Sequence, residues 1–226
     1  MAAFRLAFEL GADGIELDTK LTRDGHVVVL HDARAERTTD GSGYVSRKNL
    51  SEVRALDAGI RFGRQFLGEK IPTLEEVLAA IPPKGLLNIE VANYSTPSDG
   101  LARAVGRLVQ DSGIAEQVTF SSFLPGNLSA CRQLLPRVPR GLLVPPGWAG
   151  AWARSFGFML GDYQALHLPA RDVNLRRVAR VHRLHRRLHV WTVNSSDDVA
   201  RMVALGADGV FTDDVSSALR AVGRIA

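Results

Sequence analysis

"LGADGIELD", residues 10–18, returns near the other end of the chain as "LGADGVFTD", residues 205–213. In each copy a helical segment stops at a glycine suited to a left-handed cap, and an extended apolar segment starts three residues later. Each copy closes on an acid at the carboxyl end of that extended segment. The bland explanation is one helix-to-strand turn built twice, yet a (β/α) barrel keeps its chemistry at the carboxyl ends of its strands. In the first copy, successive side chains of an extended backbone point to opposite faces. Glu16 and Asp18 then share one face, and Ile15 and Leu17 the other. Neighbouring anions repel unless something positive sits between them.

Outward from this stretch, short apolar strands alternate with helical segments. The pattern predicts strands at 14–19, 27–30, 86–91, 117–121, 141–144, 165–168, 189–193 and 209–212. It predicts helices near 2–10, 74–81, 99–112, 126–135, 149–157, 174–187 and 196–205. Such alternation implies a parallel sheet with crossover helices, either doubly wound or closed into a barrel. No glycine-rich dinucleotide fingerprint follows any strand, which counts against a Rossmann fold. The turn at Asp24-Gly25 makes residues 20–30 the place for a hairpin outside the main repeat.

Residues 32–72 break the alternation. They hold turn residues and one helical signal at Ser51 to Leu56, where Ser51 can cap. Because the insertion begins directly after a strand, it is expected to pass over the barrel mouth, within a single domain spanning 1–226.

The 226 residues are 46% hydrophobic and 23% charged, which suits one soluble α/β core. No apolar run is long enough for a membrane span, and "MAAFRLAFELGADG" lacks the basic start of a signal peptide. The expectation is a cytoplasmic protein without stable membrane insertion. Cys131, the one cysteine, falls in an apolar helical stretch and reads as core filling. The net charge of +4 owes much to residues 174–189, where Arg176, Arg180, Arg183 and Arg187 form one stripe opposite Leu175, Val178 and Val181. That is the pattern of an outer helix with one wet face, so no nucleic-acid partner is expected.

Polar groups gather at three strand ends. Glu16 and Asp18 share the first. In "VVVLHD" His31 shares the face of Val27 and Val29, and in "LLNIEVAN" Asn88, Glu90 and Ala92 share one face. An inward Glu in a barrel is costly unless paired, protonated or bound to metal. Pairing of Glu16 and Asp18 with Lys20, Arg23 or backbone groups would be one solution. Three carboxylates from two strands would also suit Mg²⁺ or Ca²⁺ rather than zinc, which prefers histidine or cysteine. A histidine beside a metal-bound phosphate can serve as general acid or base, and His31 is the candidate.

Together these segments resemble the glycerophosphodiester phosphodiesterases. The match runs through "AAFRLAFELGADGIELDTKLTRDGHVVVLHD", "IPTLEEVLAAIP", "LLNIEV", "VTFSSF", "LHVWTVN" and "GADGVFTD" in order, over nearly the whole chain. The resemblance implies a TIM-type (β/α)8 barrel in which Glu16, Asp18 and Glu90 bind one divalent cation and His31 is one of two catalytic histidines. It implies hydrolysis of a small-molecule glycerophosphodiester to an alcohol and glycerol 3-phosphate. Phe123 and Trp191, at or near strand ends, are candidates for substrate contact, with ordinary packing as the alternative.

Two departures bear on that expectation. The family opens with a strand ending in His-Arg, followed by a Glu-Asn-Thr turn, and this sequence has neither. A start about 20 residues upstream would bring the length close to the ~250 residues typical of such barrels; without that strand, the 14–19 strand is expected to have an open edge. The family also carries lysine where Ala92 stands here. A cation-binding or regulatory barrel without turnover, or a related phospholipase-like phosphodiesterase, are therefore the competing readings.

Overall fold

The computed structural model describes residues 1–225. The chain divides into two compact units, one made of Met1–Phe8, Asp13–Phe120 and Gly126–Val138, the other of Glu9–Ala12, Ser121–Pro125 and Pro139–Ala226.

In the first unit the strands run in the order β2-β1-β3-β4, with β1 Gly14–Leu21, β2 Val27–Val29, β3 Leu86–Val91 and β4 Val118–Ser122. The β1 and β3 strands are parallel along their length, from Gly14 beside Leu86 to Thr19 beside Val91. The other edge of β1 is paired only at its carboxyl end, where β2 runs antiparallel from Thr19 to Leu21. This is the hairpin predicted at 20–30. It turns at Gly25, whose φ of 87° is open to glycine at little cost, while the Thr22 hydroxyl donates to Asp24 Oδ1 at 2.7 Å. On β1, Ile15 and Leu17 are buried on one face as the alternation demands, and Lys20 is only 8% exposed on the face of the acids.

Helices α1 Ala2–Glu9, α2 Leu50–Ala55, α3 Leu74–Leu78, α4 Leu101–Ser112 and α5 Pro125–Leu134 accompany these strands. In α4 the buried residues Leu101, Ala102, Val105 and Val109 form one stripe, and Gly113 closes the helix in the left-handed region. Cys131 on α5 is fully buried with its thiol toward the Ala102 carbonyl, as core filling requires.

The 32–72 insertion has a small core of its own, in which Val45, Val53 and Ile71 pack with Val28 and Leu30 of the β2 segment. Its helix α2 starts two residues earlier than the sequence suggests. Asn49, not Ser51, is the cap residue, and its backbone N–H donates to Glu52 at 2.7 Å.

The second unit has the strand order β5-β6-β7-β8, with β5 Arg140–Leu143, β6 Ala165–Pro169, β7 Arg187–Trp191 and β8 Gly209–Val210, all parallel. Its helices are α6 Phe158–Leu160, α7 Leu175–Arg183, α8 Ser196–Leu205 and α9 Val215–Ala221. Gly206 caps α8 with φ of 89°, matching Gly11 at 96° in the first copy of the repeated turn. Helix α9 has no counterpart in the predicted elements; Asp214 caps it by accepting from Ser217 N. On α7, Val178 and Val181 are buried as expected, but Leu175 is 66% exposed on the first turn. Among the described residues no helix is long and apolar enough to cross a membrane.

Candidate metal centre and active site

Parallel pairing of β1 with β3 sets Asp18 directly beside Glu90, and Glu16 one pleat earlier beside Asn88. The consequence is the cluster expected from strand alternation. One carboxylate oxygen from each of Glu16, Asp18 and Glu90 lies within 4.8 Å of the others. Burial, then the facing Asp18 charge, pushes Glu90 up to about 7, and burial also raises Asp18. Both shifts describe carboxylates short of positive charge. An all-oxygen donor set in that condition fits a divalent cation, which would favour the ionised form of each acid.

The two nearby basic groups first considered behave differently from one another. Arg23 turns away, donating to Asn49 Oδ1 at 2.9 Å and reaching Glu52 at 3.4 Å. Lys20 does lie close enough to feel Asp18, Glu90, Asp32 and Glu16, and burial lowers its pKa. It shares the face of Glu16 and Asp18, and continuing the β1/β3 register past Thr19 beside Val91 sets it next to Ala92. A buried lysine side chain thus stands on the face of the acid cluster, one residue beyond the last β1/β3 pair.

His31 follows β2 and is held beside the acids by the backbone, since Leu30 N donates to the Asp18 carbonyl at 3.0 Å. Its Nδ1 is 2.7 Å from Asp32 Oδ1, and its ring is 72% exposed. Arg37, from the insertion, donates to both oxygens of Asp32, Nε at 2.5 Å and Nη2 at 3.0 Å. The Arg37 hydrogen bond, first among several causes, holds Asp32 down to about 2. A carboxylate that stays ionised and is itself fixed orients the imidazole through Nδ1 and leaves Nε2 toward solvent.

Tyr94 is a further contact on the cluster, its hydroxyl donating to Glu90 Oε1 at 2.6 Å. The loop that carries it is fixed by a buried amide, Asn93, which donates to Asp99 at 2.7 Å and accepts from Asn127 at 2.8 Å. Strand alternation could not have found Tyr94, which lies beyond the strand. Nor could it have found Arg37, five residues from its partner in irregular chain.

In the second unit, Phe123 and Trp191 meet edge to face, ring centres 6.0 Å apart at 87°. The Trp191 indole nitrogen is buried without a hydrogen-bond partner. Two residues earlier on the same strand, His189 of β7 lies beside His167 on β6, with His189 Nδ1 and His167 Nε2 3.1 Å apart.

Three converging carboxylates and a carboxylate-oriented histidine at strand ends give this α/β chain the layout of a hydrolase. Comparison with known proteins makes the class definite. The model of the glycerophosphoryl diester phosphodiesterase family matches residues 1–217, and the chain belongs to that family. A glycerophosphodiester phosphodiesterase of Caldanaerobacter subterraneus subsp. tengcongensis is 37% identical over 223 residues, 98% of this chain and 90% of that one. Among solved structures, an Oleispira antarctica phosphodiesterase in complex with the product sn-glycerol-3-phosphate superposes with a TM-score of 0.88 at 27% identity, covering 98% of this chain and 90% of the other. The Thermotoga maritima glycerophosphodiester phosphodiesterase gives 0.73 at 25% identity, covering 95% and 88%. The fold class is the α/β barrel of the TIM type expected from the sequence.

Proposed function

We propose that this chain hydrolyses glycerophosphodiesters to an alcohol and sn-glycerol 3-phosphate, with one divalent cation, Mg²⁺ or Ca²⁺, held by Glu16, Asp18 and Glu90. The convergence of those three carboxylates within 4.8 Å carries the reading. Family membership supports the reaction class. A bound cation would polarise the phosphoryl oxygens and offset charge developing on them. His31, oriented by Asp32, exchanges a proton at Nε2 with the attacking water or the leaving alcohol. Lys20 supplies the buried positive charge toward the phosphate that Ala92 does not.

For substrate contact we propose Phe123 and Trp191. An indole N–H that is buried without an acceptor in the protein is satisfied by a ligand oxygen, which supports that role for Trp191. The 32–72 insertion is proposed to cover the mouth of a single barrel domain, and the location is proposed to be the cytoplasm.

The test is turnover of glycerophosphocholine with Mg²⁺ or Ca²⁺, followed by choline release. Activity is expected to vanish with a chelator, to return with the cation, and to fall by about 10²- to 10⁴-fold in His31→Ala. A Lys20→Met chain is expected to lose activity that Lys20→Arg partly keeps. The competing reading, a cation-binding barrel without turnover, is favoured by the methyl side chain at Ala92. It wins if calorimetry detects the cation on Glu16, Asp18 and Glu90 while no choline is released.

A further inference from the structure

Between β5 and β6 the second unit carries a run of helical turns from Gly147 through Leu160. Its outward side is apolar. Trp148 is 94% exposed, Trp152 62%, Phe156 65% and Leu160 84%, each four residues after the last, with Met159 at 48% beside them. Four large apolar side chains along one side of a helical run are not the scattered single exposures common on soluble proteins. Trp152 is also packed against the run itself. The Trp152 ring lies so close over Gly157 that a Cβ there would come within 2.6 Å of it.

The run is fixed at both ends to the segment containing α7. Toward its start, Gly147 N and Arg154 Nη1 both donate to Asp172 Oδ2, at 3.0 and 3.1 Å, and Asp172 lies three residues before α7. At its end, Arg186, just after α7, donates to the carbonyls of Phe158 and Gly161. The two helical segments therefore lie side by side. The neighbour contributes the wet arginine face seen in the sequence, with Arg171, Arg176, Arg180, Arg183 and Arg187 all exposed, and Leu175 exposed on its first turn. From 147 to 187 the only carboxylates are Asp162 and Asp172, and each is already paired, with Arg140 and Arg154.

We infer that this face docks on the surface of an anionic lipid bilayer. Indole and phenyl rings with leucine suit the boundary between headgroups and acyl chains, and a row of guanidinium groups at the same level matches lipid phosphates. The charge balance selects this occupant over a second copy of the chain. A two-fold contact brings the same patch of both copies together and would set arginine against arginine with no free carboxylate to answer it. The apolar side chains enter the interface while the fold stays outside it, since no described helix can span.

The experiment is co-sedimentation of the full chain with vesicles of phosphatidylcholine alone and of phosphatidylcholine mixed with phosphatidylglycerol. The expected result is pelleting with the mixed vesicles, weak pelleting with phosphatidylcholine, and release as salt rises. The triple variant Trp148→Ser, Phe156→Ser, Leu160→Ser is expected to lower the partition coefficient by about tenfold or more, as three anchors leave the interface. Arg180→Glu with Arg183→Glu is expected to lower it as far by the other route. Both variants keep wild-type KM and kcat on glycerophosphocholine. Absence of pelleting overturns the inference, as does equal pelleting of the aromatic variant, which would leave plain electrostatic adsorption. Self-association abolished by the same variant assigns the face to a second copy, and a changed KM assigns it to substrate; either result overturns the inference too.

Discussion

Two pairs of ionisable side chains occupy equivalent places on parallel strands, Asp18 beside Glu90 on β1 and β3, and His167 beside His189 on β6 and β7. Burial favours the protonated form of both carboxylates; the Asp18 charge adds to this at Glu90, while a side-chain hydrogen bond with Glu90 works the other way at Asp18. The imidazoles face one another as well, but a neutral imidazole is donor at one nitrogen and acceptor at the other. One ring can therefore satisfy its neighbour across 3.1 Å without a third party. Burial, joined by the second ring, takes His167 well below its usual range, and burial lowers His189 too, so the pair stays neutral. Phe211 packs against both rings, at 5.2 and 6.0 Å between centres, and Gly141 is needed because a Cβ there would reach within 2.2 Å of His167 Nε2. The same register thus yields a cluster of acids able to hold a cation in one unit and a neutral hydrogen-bonded pair in the other.

The sharpest way to break this contrast is Asp18→Asn. Groups that merely support a metal ligand are worth 10- to 100-fold in affinity, so loss of a ligand is expected to cost more than about a hundredfold in cation affinity and in turnover. In the presence of chelator the same variant is expected to melt above the wild type, because it removes one of two repelling buried acids. Calorimetric titration and thermal melts check both halves. A variant with wild-type turnover would remove the acid cluster from the mechanism.

The counterpart is His167→Ala, which has no repulsion to relieve. It leaves a cavity against Phe211 and an unsatisfied nitrogen on His189, and is expected to cost about 3 kcal/mol of stability with or without the cation. Urea unfolding measures it. A loss below about 1 kcal/mol would mean that the pair is not a packed unit.

The two pairs also differ in how far the sequence announced them. Glu16, Asp18 and Glu90 stand out because alternation places acids on an otherwise buried face near strand ends, where an acid must be paired, protonated or bound to metal. His167 and His189 sit inside "ALHLP" and "RLHVW" with apolar neighbours on both sides, and nothing local says that the two strands are adjacent in register. The strands themselves were legible for the same reason as the acids: short apolar runs flanked by turn residues. What stayed hidden depends on distant partners. Arg37 matters only because the insertion folds back on Asp32, Tyr94 because Asn93 and Asn127 fix its loop, and Asn49 caps α2 through a glutamate that could equally have served another start. Lys20 was visible as a neighbour of the acids, while its place beside Ala92 needed the β1/β3 register.

Acid separates the pairs a third way. The His167 pKa in the folded chain lies well below the 6.5 of an unfolded imidazole, so the unfolded state binds the extra proton as pH falls. Stability linked to His167 is then fully present above about pH 6.5 and is lost below it, at up to about 1.4 kcal/mol per pH unit until the folded ring itself titrates. In chelator Glu90, raised to about 7, gives an opposite slope over the same range, so the His167 contribution is expected as the difference between wild type and His167→Phe in melts from pH 7.5 to 5. A slope unchanged in that variant would place the acid sensitivity elsewhere.

The smallest expected effect tests whether the acid cluster borrows any satisfaction of the kind the imidazoles enjoy. The Tyr94 hydroxyl gives Glu90 one donor at 2.6 Å, and Tyr94 is 41% exposed, so water can take its place in part. Tyr94→Phe is accordingly expected to cost about 1 kcal/mol, or roughly fivefold in cation affinity, rather than the larger amount of a fully buried charged hydrogen bond. Its stability is expected to change little, because Asn93, Asn127 and Asp99 fix the loop without the phenol. Calorimetric titration of the cation decides it. A drop as large as that of Asp18→Asn would make Tyr94 part of the cation's immediate surroundings, whereas no drop would mean that the phenol contributes nothing to the site.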